Sequence, residues 1–392
     1  MPYYKRNLVV LSITVFLASL SWQQIVPFLP KFLGEIGGNG PNYATWVSVI
    51  FASQSLAAII AQPSWGKLGD NVGRKPMILR AGLCLAGVYF AMSMCHAPWQ
   101  LALCRFLNGA LTGFIPGSFA LVSTNTPKDK APRYVAILES VSNIGLIVGP
   151  TIGAVLAHMA GYRMSMVVSG TAVLISTIAV WSLVTEPNKV GEIEKTSLLE
   201  DFREAFRSPV LLSLLVTIGI AWTYGSSINP YLVLHLEGLS GWRPWWLPAL
   251  TYSLPGIAFV LTAYRWSLAG QSWGFDRNIT IGLAGGAVGA LILFATHNIW
   301  MFAGVYFATG ICMATLSPGV GAVTCTMVPQ EFRGRAYGIQ HGAGTLAAFL
   351  TVLISGQVAR VYGYNAIFLY VSVLFTVGLI VFRGLSRKWG KV

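Results

Sequence analysis

Three ionisable side chains stand inside otherwise apolar stretches, and they are where this sequence concentrates its chemistry: Arg105, Glu139 and His341. Arg105 lies seven residues past Pro98, which at helical rise puts it roughly 10 Å into an apolar layer. A fixed charge at that depth costs on the order of 2.5–3.5 kcal/mol unless it meets water or a partner, so Arg105 marks a wet or paired site. Glu139 sits about 9 Å from the opposite end of its own stretch by the same rise. Desolvation there favours the protonated form and suits proton carriage, whereas a carboxylate in the first turns can also snorkel to the interface or pair with a loop base. His341 reads either as a proton-handling partner or as a neutral ring bonded to Gln340 or a backbone carbonyl. A second constellation, GKLGDNVGRKP at residues 66–76, sets Asp70 among Lys67, Arg74 and Lys75, with Gly66, Gly69 and Gly73 breaking any regular pattern. It reads as a charged clasp between two long apolar segments, or as a basic loop that only fixes topology. No nucleophile–base arrangement, HExxH or nucleotide loop accompanies these groups.

The elements that must carry them are membrane spans. Of 392 residues, 55% are hydrophobic and 10% charged, and charges this sparse cannot cover a water-facing surface. The apolar runs predict twelve spans, near 8–33, 44–65, 76–95, 98–124, 134–160, 163–184, 209–236, 243–266, 278–296, 299–327, 335–361 and 364–384. With the N-terminus inside, inward segments hold 21 of the 26 Lys and Arg residues, and outward ones only Lys31, Arg163, Arg243 and Arg360. That asymmetry predicts both termini in the cytoplasm and absorbs the net charge of +13 without a nucleic-acid partner. The first run is too long for a signal-peptide core and lacks a small-residue cleavage pattern, so it reads as an uncleaved span. Cys84, Cys95, Cys104, Cys312 and Cys325 show no paired spacing and read as small apolar residues, not a disulfide or metal framework. Within span one, Pro27 and Pro30 predict a broken or kinked helix just after Gln23 and Gln24. Span five carries Gly145, Gly149 and Gly153 at intervals of four with Pro150 inserted, a smooth ridge for close helix packing. Residues 185–208, with six acidic and four basic side chains and the patch LLEDFREAF, read as a cytoplasmic linker. The expected domains are a six-helix bundle over 1–184, that linker, and a second bundle over 209–392.

The two halves repeat. A shift of 202 residues superposes Pro116 on Pro318, Gly117 on Gly319, Pro127 on Pro329, Asp129 on Glu331, Arg133 on Arg335, and Gly161–Tyr162 on Gly363–Tyr364. A duplicated six-span unit of parallel topology is the architecture of secondary transporters with a central site between halves. The same shift sets His341 opposite Glu139. At a shift of 201, Gly270 matches Gly69 but Gln271 stands where Asp70 was, so the charged clasp belongs to the first half alone.

On these residues the chain resembles the major facilitator superfamily, and within it the twelve-span drug:proton antiporters. GKLGDNVGRKP is similar to the family's signature loop between spans two and three, RFLNG to its span-four signature, SNIGLIVGPTIGA to its span-five antiporter signature, and VPFLP to the proline pair of span one. The resemblance implies an all-α membrane protein built as two pseudo-symmetric six-helix bundles. It also implies that Asp70 pairs with the start of span eleven and that Arg74 and Lys75 join a lock on the cytoplasmic side. Arg105 would support proton coupling, and Gly145, Gly149, Pro150 and Gly153 would shape the helix that fixes exchange and limits leak. Two positions depart from the pattern: Asn71 stands for the commoner Arg after the Asp, and span one lacks an embedded acid. The function to expect is proton-coupled export of amphipathic small molecules by alternating access across a bacterial cytoplasmic membrane. Its partners would be substrate, protons and the bilayer, its state a monomer, with no cofactor and no metal. Gln23, Asn143, Tyr224, Tyr252 and Gln340 are the polar or aromatic residues at cavity depth. The alternatives are a transporter of the same fold for one metabolite (a siderophore, sugar or amino acid), and a membrane receptor or enzyme.

Overall fold

A computed structural model of the chain describes residues 2–127, 129–187, 208–242, 244–329, 332–387 and 389, and within these the side chains of Pro63, Gly66, Lys67, Asp70, Pro132 and Gly334 are outside the description. The linker expected over 185–208, with its amphipathic patch, therefore falls mostly outside the described residues. Among the described residues the regular structure is helical, and eleven continuous helical runs are long and apolar enough to cross a bilayer. One of them, Arg133–Leu183, has 51 residues, about 76 Å of helix, more than twice a hydrocarbon core. Gly161 interrupts it with φ 81° and ψ 166°, so it supplies two spans and the total is the expected twelve.

In order, span one is Tyr3–Ile25, span two Tyr43–Val72 and span three Arg74–Ser93. Span four is Pro98–Leu111 continued by Phe114–Asn125, and spans five and six are the two arms of Ala131–Leu183. Span seven is Pro209–Ile228 followed by the short helix Leu232–Gly238, span eight Leu247–Trp273 and span nine Phe275–Phe294. Span ten is Ile299–Met313 continued by Leu316–Met327, span eleven Arg333–Tyr362 and span twelve Ala366–Ser386. The proline pair in span one acts as its chemistry requires: the helix tightens to a 3-10 turn at Val26–Phe28 and restarts as Leu29–Leu33. Pro150 instead sits inside a helix that continues across it, and the departure from helical backbone comes eleven residues later, at Gly161.

Contacts divide the chain into two compact units, Met1–Glu194 and Lys195–Val392. Each repeats the other's internal details. Gly73 and Gly274, 201 residues apart, turn the chain between paired spans with φ 112° and 98°. The Trp65 indole donates to the Ala110 carbonyl at 2.6 Å, and Trp266, 201 residues on, donates to that of Ile311 at 2.9 Å. Phe28 stacks on Tyr162 in the first unit, and Tyr231 on Tyr364 in the second. Spans four and ten both break near their middles, leaving carbonyls without a helical partner, and the paired indoles satisfy one in each.

Candidate functional site

The turn at residues 69–76 is built from the ends of spans two and three. Span two ends at Val72, and Gly73 adopts φ 112°, where any side chain would be strained. Span three then begins at Arg74 with no local side chain to cap it. The cap comes from 112 residues away. The Glu186 carboxylate, just past the end of span six, accepts the Arg74 N–H at 2.7 Å and the Lys75 N–H at 2.8 Å. In return the Lys75 ammonium donates to the Trp181 and Val184 carbonyls at 2.8 and 2.6 Å. Negative charge thus meets the start of one helix and positive charge the end of another, each satisfying orphaned backbone groups. The Asn7 amide of span one brackets Thr185, donating to its carbonyl at 2.7 Å and accepting its N–H at 3.1 Å. Beside this junction an open pocket of about 620 Å³ is lined by Tyr3, Arg6, Val72, Lys75, Pro76 and Glu186. Lys75, expected to join a lock around Asp70, therefore reaches back to span six. The expected Asp70 contact, with the side chain of Lys67 and the position of Gly66, lies outside the described residues. Gly69 accepts the Gly73 N–H through its carbonyl, and a Cβ on it would come 3.1 Å from the Arg74 guanidinium.

The polar centre of the first unit gathers on span four. Arg105 is buried, 5% exposed, with its guanidinium 5.3 Å from the centroid of Phe51 on span two. Asn108, one turn on, is buried as well, and the fully buried Tyr89 of span three is beside Asn108 and within electrostatic reach of Arg105. Gly109 explains how span two comes so near: a Cβ there would fall 2.0 Å from the Gln54 carbonyl oxygen. A second guanidinium went unnoticed as a site residue because sequence reading counts it with the inward basic charges. Arg80, six residues into span three, has its Cζ 3.4 Å from the centroid of the Trp65 ring and donates to the Thr112 carbonyl at 3.5 Å, in the break of span four. Its place well inside an apolar run was the signal that could have revealed it.

The span-five ridge meets span one. Added Cβ atoms on Gly145, Gly149 and Gly153 would come 2.7, 2.8 and 2.1 Å from the carbonyl oxygens of Phe16, Leu20 and Gln24. Both series step by four residues, so two helices lie backbone to backbone at three successive points, over a little more than two turns. Polar groups tie span one to both arms of that helix, to span five through Ser142 and to span six through Ser165 and Ser169. The Ser19 and Ser142 hydroxyls share a hydrogen bond of 2.8 Å, and the Gln24 amide donates to the Ser165 carbonyl at 3.1 Å and to the Ser169 hydroxyl.

The remaining expected residues are divided between the two units. Glu139 is exposed, with Ile137 and Ser140 beside it, because the first turns of span five still present that face outward; the burial expected for it is absent. His341 is also exposed and meets Trp222 edge-on, with ring centroids 5.1 Å apart. Gln23 and Asn143 are half-buried in the first unit, and the Gln23 stem lies over Gly149. Tyr224, Tyr252 and Gln340 are instead packed within the second unit. Tyr224 stacks on Tyr306 at 5.9 Å, and Gln340 donates to the Thr324 hydroxyl at 3.0 Å. Among the described residues no three His, Cys, Asp or Glu side chains are grouped to hold a metal ion.

The sequence matches the Major Facilitator Superfamily over residues 11–274 and 249–391. It is 28% identical over 393 residues to the multidrug resistance protein MdtG of Proteus mirabilis, covering 98% of this chain and 96% of that one. To the MdtG of Yersinia enterocolitica it is 29% identical over 394 residues, covering 98% and 93%. Among solved structures, a bacterial homologue of the human lysosomal transporter Spinster, inward-facing and occupied, superposes with a TM-score of 0.85 at 12% identity, covering 99% and 97%. A POT family transporter in complex with 5-aminolevulinic acid superposes with a TM-score of 0.80 at 13% identity, covering 98% and 96%.

Proposed function

The chain belongs to the Major Facilitator Superfamily and is a multi-pass membrane transporter, not an enzyme, and from that premise we propose that it exports amphipathic small molecules across a bacterial cytoplasmic membrane in exchange for protons. Its relatives named as multidrug resistance proteins match it nearly end to end, which supports the substrate class. The observation that carries the exchange reading is the seam between spans one and five. Helices in backbone contact through glycines leave no room for a file of water along that line, while the smooth surface lets them slide. Such a seam suits a carrier that must change shape without leaking protons. Arg105 supplies fixed positive charge in the apolar interior, and a proton arriving nearby changes the balance of charge that Arg105 feels. Each proton entering with the gradient supplies about 2.3 kcal/mol per 100 mV of membrane potential, the drive for alternating access. Both termini are assigned to the cytoplasm by the positive-inside asymmetry, the domains to residues 1–184 and 209–392, and the working unit to a single chain.

The test is transport by the purified full-length chain in liposomes with an imposed pH gradient, read by a fluorescent amphipathic cation, a neutral dye and an internal pH indicator. Dye movement that accelerates with the gradient, together with substrate-driven pH change, is the expected result. Equal transport with and without the gradient would defeat proton exchange. A response to a single natural metabolite across a competition panel would replace the multidrug reading with a dedicated carrier.

A further inference from the structure

The spacing of the five cysteines suggests no pairing, yet folding brings two of them together. Cys95 lies just past span three, in the turn to span four, and Cys104 is on the second turn of span four; their sulfurs are 3.8 Å apart. Both are buried, with exposures of 3% and 8%. The turn is held from two sides. The Cys95 thiol donates to the Ala91 carbonyl at 3.4 Å, and the Arg163 guanidinium donates to the Ser93 and Cys95 carbonyls at 2.5 and 2.8 Å. Met94 and His96, on either side of Cys95, are exposed, so a small reagent needs only a local opening of the turn to reach the sulfur.

The second unit shows what this turn requires for packing alone. Thr296, 201 residues after Cys95, donates its hydroxyl to the Ile292 carbonyl at 2.7 Å, as Cys95 does to Ala91. Asn365 donates to the Phe294 carbonyl at 2.9 Å, as Arg163 does to Ser93. Val305 stands 201 residues after Cys104. The fold is therefore satisfied by a hydroxyl and an aliphatic side chain, and the sulfur pair is extra to it. A disulfide needs its sulfurs at about 2.05 Å, a closing movement of less than 2 Å from the observed 3.8 Å, which side-chain rotation in a turn can supply.

We propose that Cys95 and Cys104 form a redox-active dithiol, a modification site that closes to an intramolecular disulfide when it meets a small-molecule disulfide oxidant. The Cys95 thiol gives its proton to water as the turn opens, and the thiolate attacks one sulfur of the oxidant, expelling the other half as a thiolate. The Cys104 thiol then loses its proton, and its thiolate attacks the Cys95 sulfur of the mixed disulfide. The second half of the oxidant leaves as a thiolate. Two protein thiols are oxidised, one oxidant disulfide is reduced to two thiolates, and the two released protons are available to them. The closed bond would tie the turn to the residue immediately before Arg105.

The experiment uses the reduced, purified full-length chain in detergent, exposed to 2-hydroxyethyl disulfide, alkylated, digested, and read by tandem mass spectrometry over residues 81–105. The expected product has lost two hydrogens, with the link between residues 95 and 104, and dithiothreitol restores it. The C84S variant keeps this loss, and the C104S variant abolishes it. The C95T variant, which places the second unit's side chain here, keeps its thermal unfolding midpoint and also loses the linked product. A wild-type fragment that stays reduced, that carries only oxidant adducts, or that loses two hydrogens without Cys104 would overturn the proposal.

Discussion

At the scale of single residues, charges that stand alike in apolar sequence meet different surroundings. Arg105 is enclosed and Glu139 is exposed, although sequence depth treats them alike, because a residue's distance along a helix says nothing about which face it occupies. Arg105 is held by the flat face of Phe51, and a lysine keeps the charge but loses the stacking and the fork of donors. Transport by R105K is therefore expected to fall by about tenfold, equivalent to about 1.4 kcal/mol, and R105A further, both measured in liposomes at equal protein content. The glycine ridge makes a sharper case. An alanine at Gly153 would set its methyl 2.1 Å from the Gln24 carbonyl oxygen, so spans one and five must separate, costing about 1–3 kcal/mol. G153A is expected to lower the thermal unfolding midpoint and raise passive proton leak; an unchanged midpoint would show that the seam yields freely. The ridge itself was legible, since glycines at intervals of four with no polar partner have few other uses in a span. Its partner was not, because span one carries no complementary pattern: any helix can offer its backbone carbonyls.

At the scale of elements, the start of span three shows how a helix end is finished by a distant carboxylate. Sequence reading looks for a cap within a few residues, finds Gly73 and Asn71, and has no means of nominating Glu186 from over a hundred residues away. By the same reasoning Lys75 reads as a neighbour of Asp70 alone, and sequence offers no sign that its ammonium also serves the carbonyls at the end of span six. Capping of two amides by one carboxylate contributes roughly 1 kcal/mol. E186A is expected to lose about that much, and K75A somewhat less because part of its stem is solvated. The two groups finish one junction, so their losses should overlap. A double-mutant cycle on the unfolding free energy is expected to give a coupling of about 0.5 kcal/mol or more; strict additivity would mean that spans three and six are capped independently.

At the scale of the molecule, duplication set one backbone plan twice and left each copy to secure it differently. Offsets of 201 and 202 were readable because glycine and proline punctuate both halves. What the offsets concealed is that equivalent turns rest on different physics. In the first unit the turn at Gly73 is fastened by ionic groups, Glu186 and Lys75. In the second, the turn at Gly274 is fastened by neutral ones: the Trp273 indole donates to the Asn278 side-chain carbonyl at 2.7 Å, and the Asn278 amide donates to the Trp266 carbonyl at 2.7 Å. Arg387 stands 201 residues after Glu186, so no acid reaches the second turn from that position, and the carboxylate there is the local Asp276 in the first turn of span nine. Salt distinguishes the two. Raising ionic strength from about 0.15 M to about 1 M shortens the screening length from about 8 Å to about 3 Å. That weakens charge-assisted caps worth about 0.3–1 kcal/mol and leaves neutral hydrogen bonds nearly untouched. Backbone hydrogen exchange at Arg74 and Lys75 is therefore expected to quicken by about two- to fivefold at high salt, while exchange at Asn278 stays constant. If both turns respond alike, the ionic fastening contributes nothing of its own. If only the first responds, that turn is the one whose strength local charge can tune.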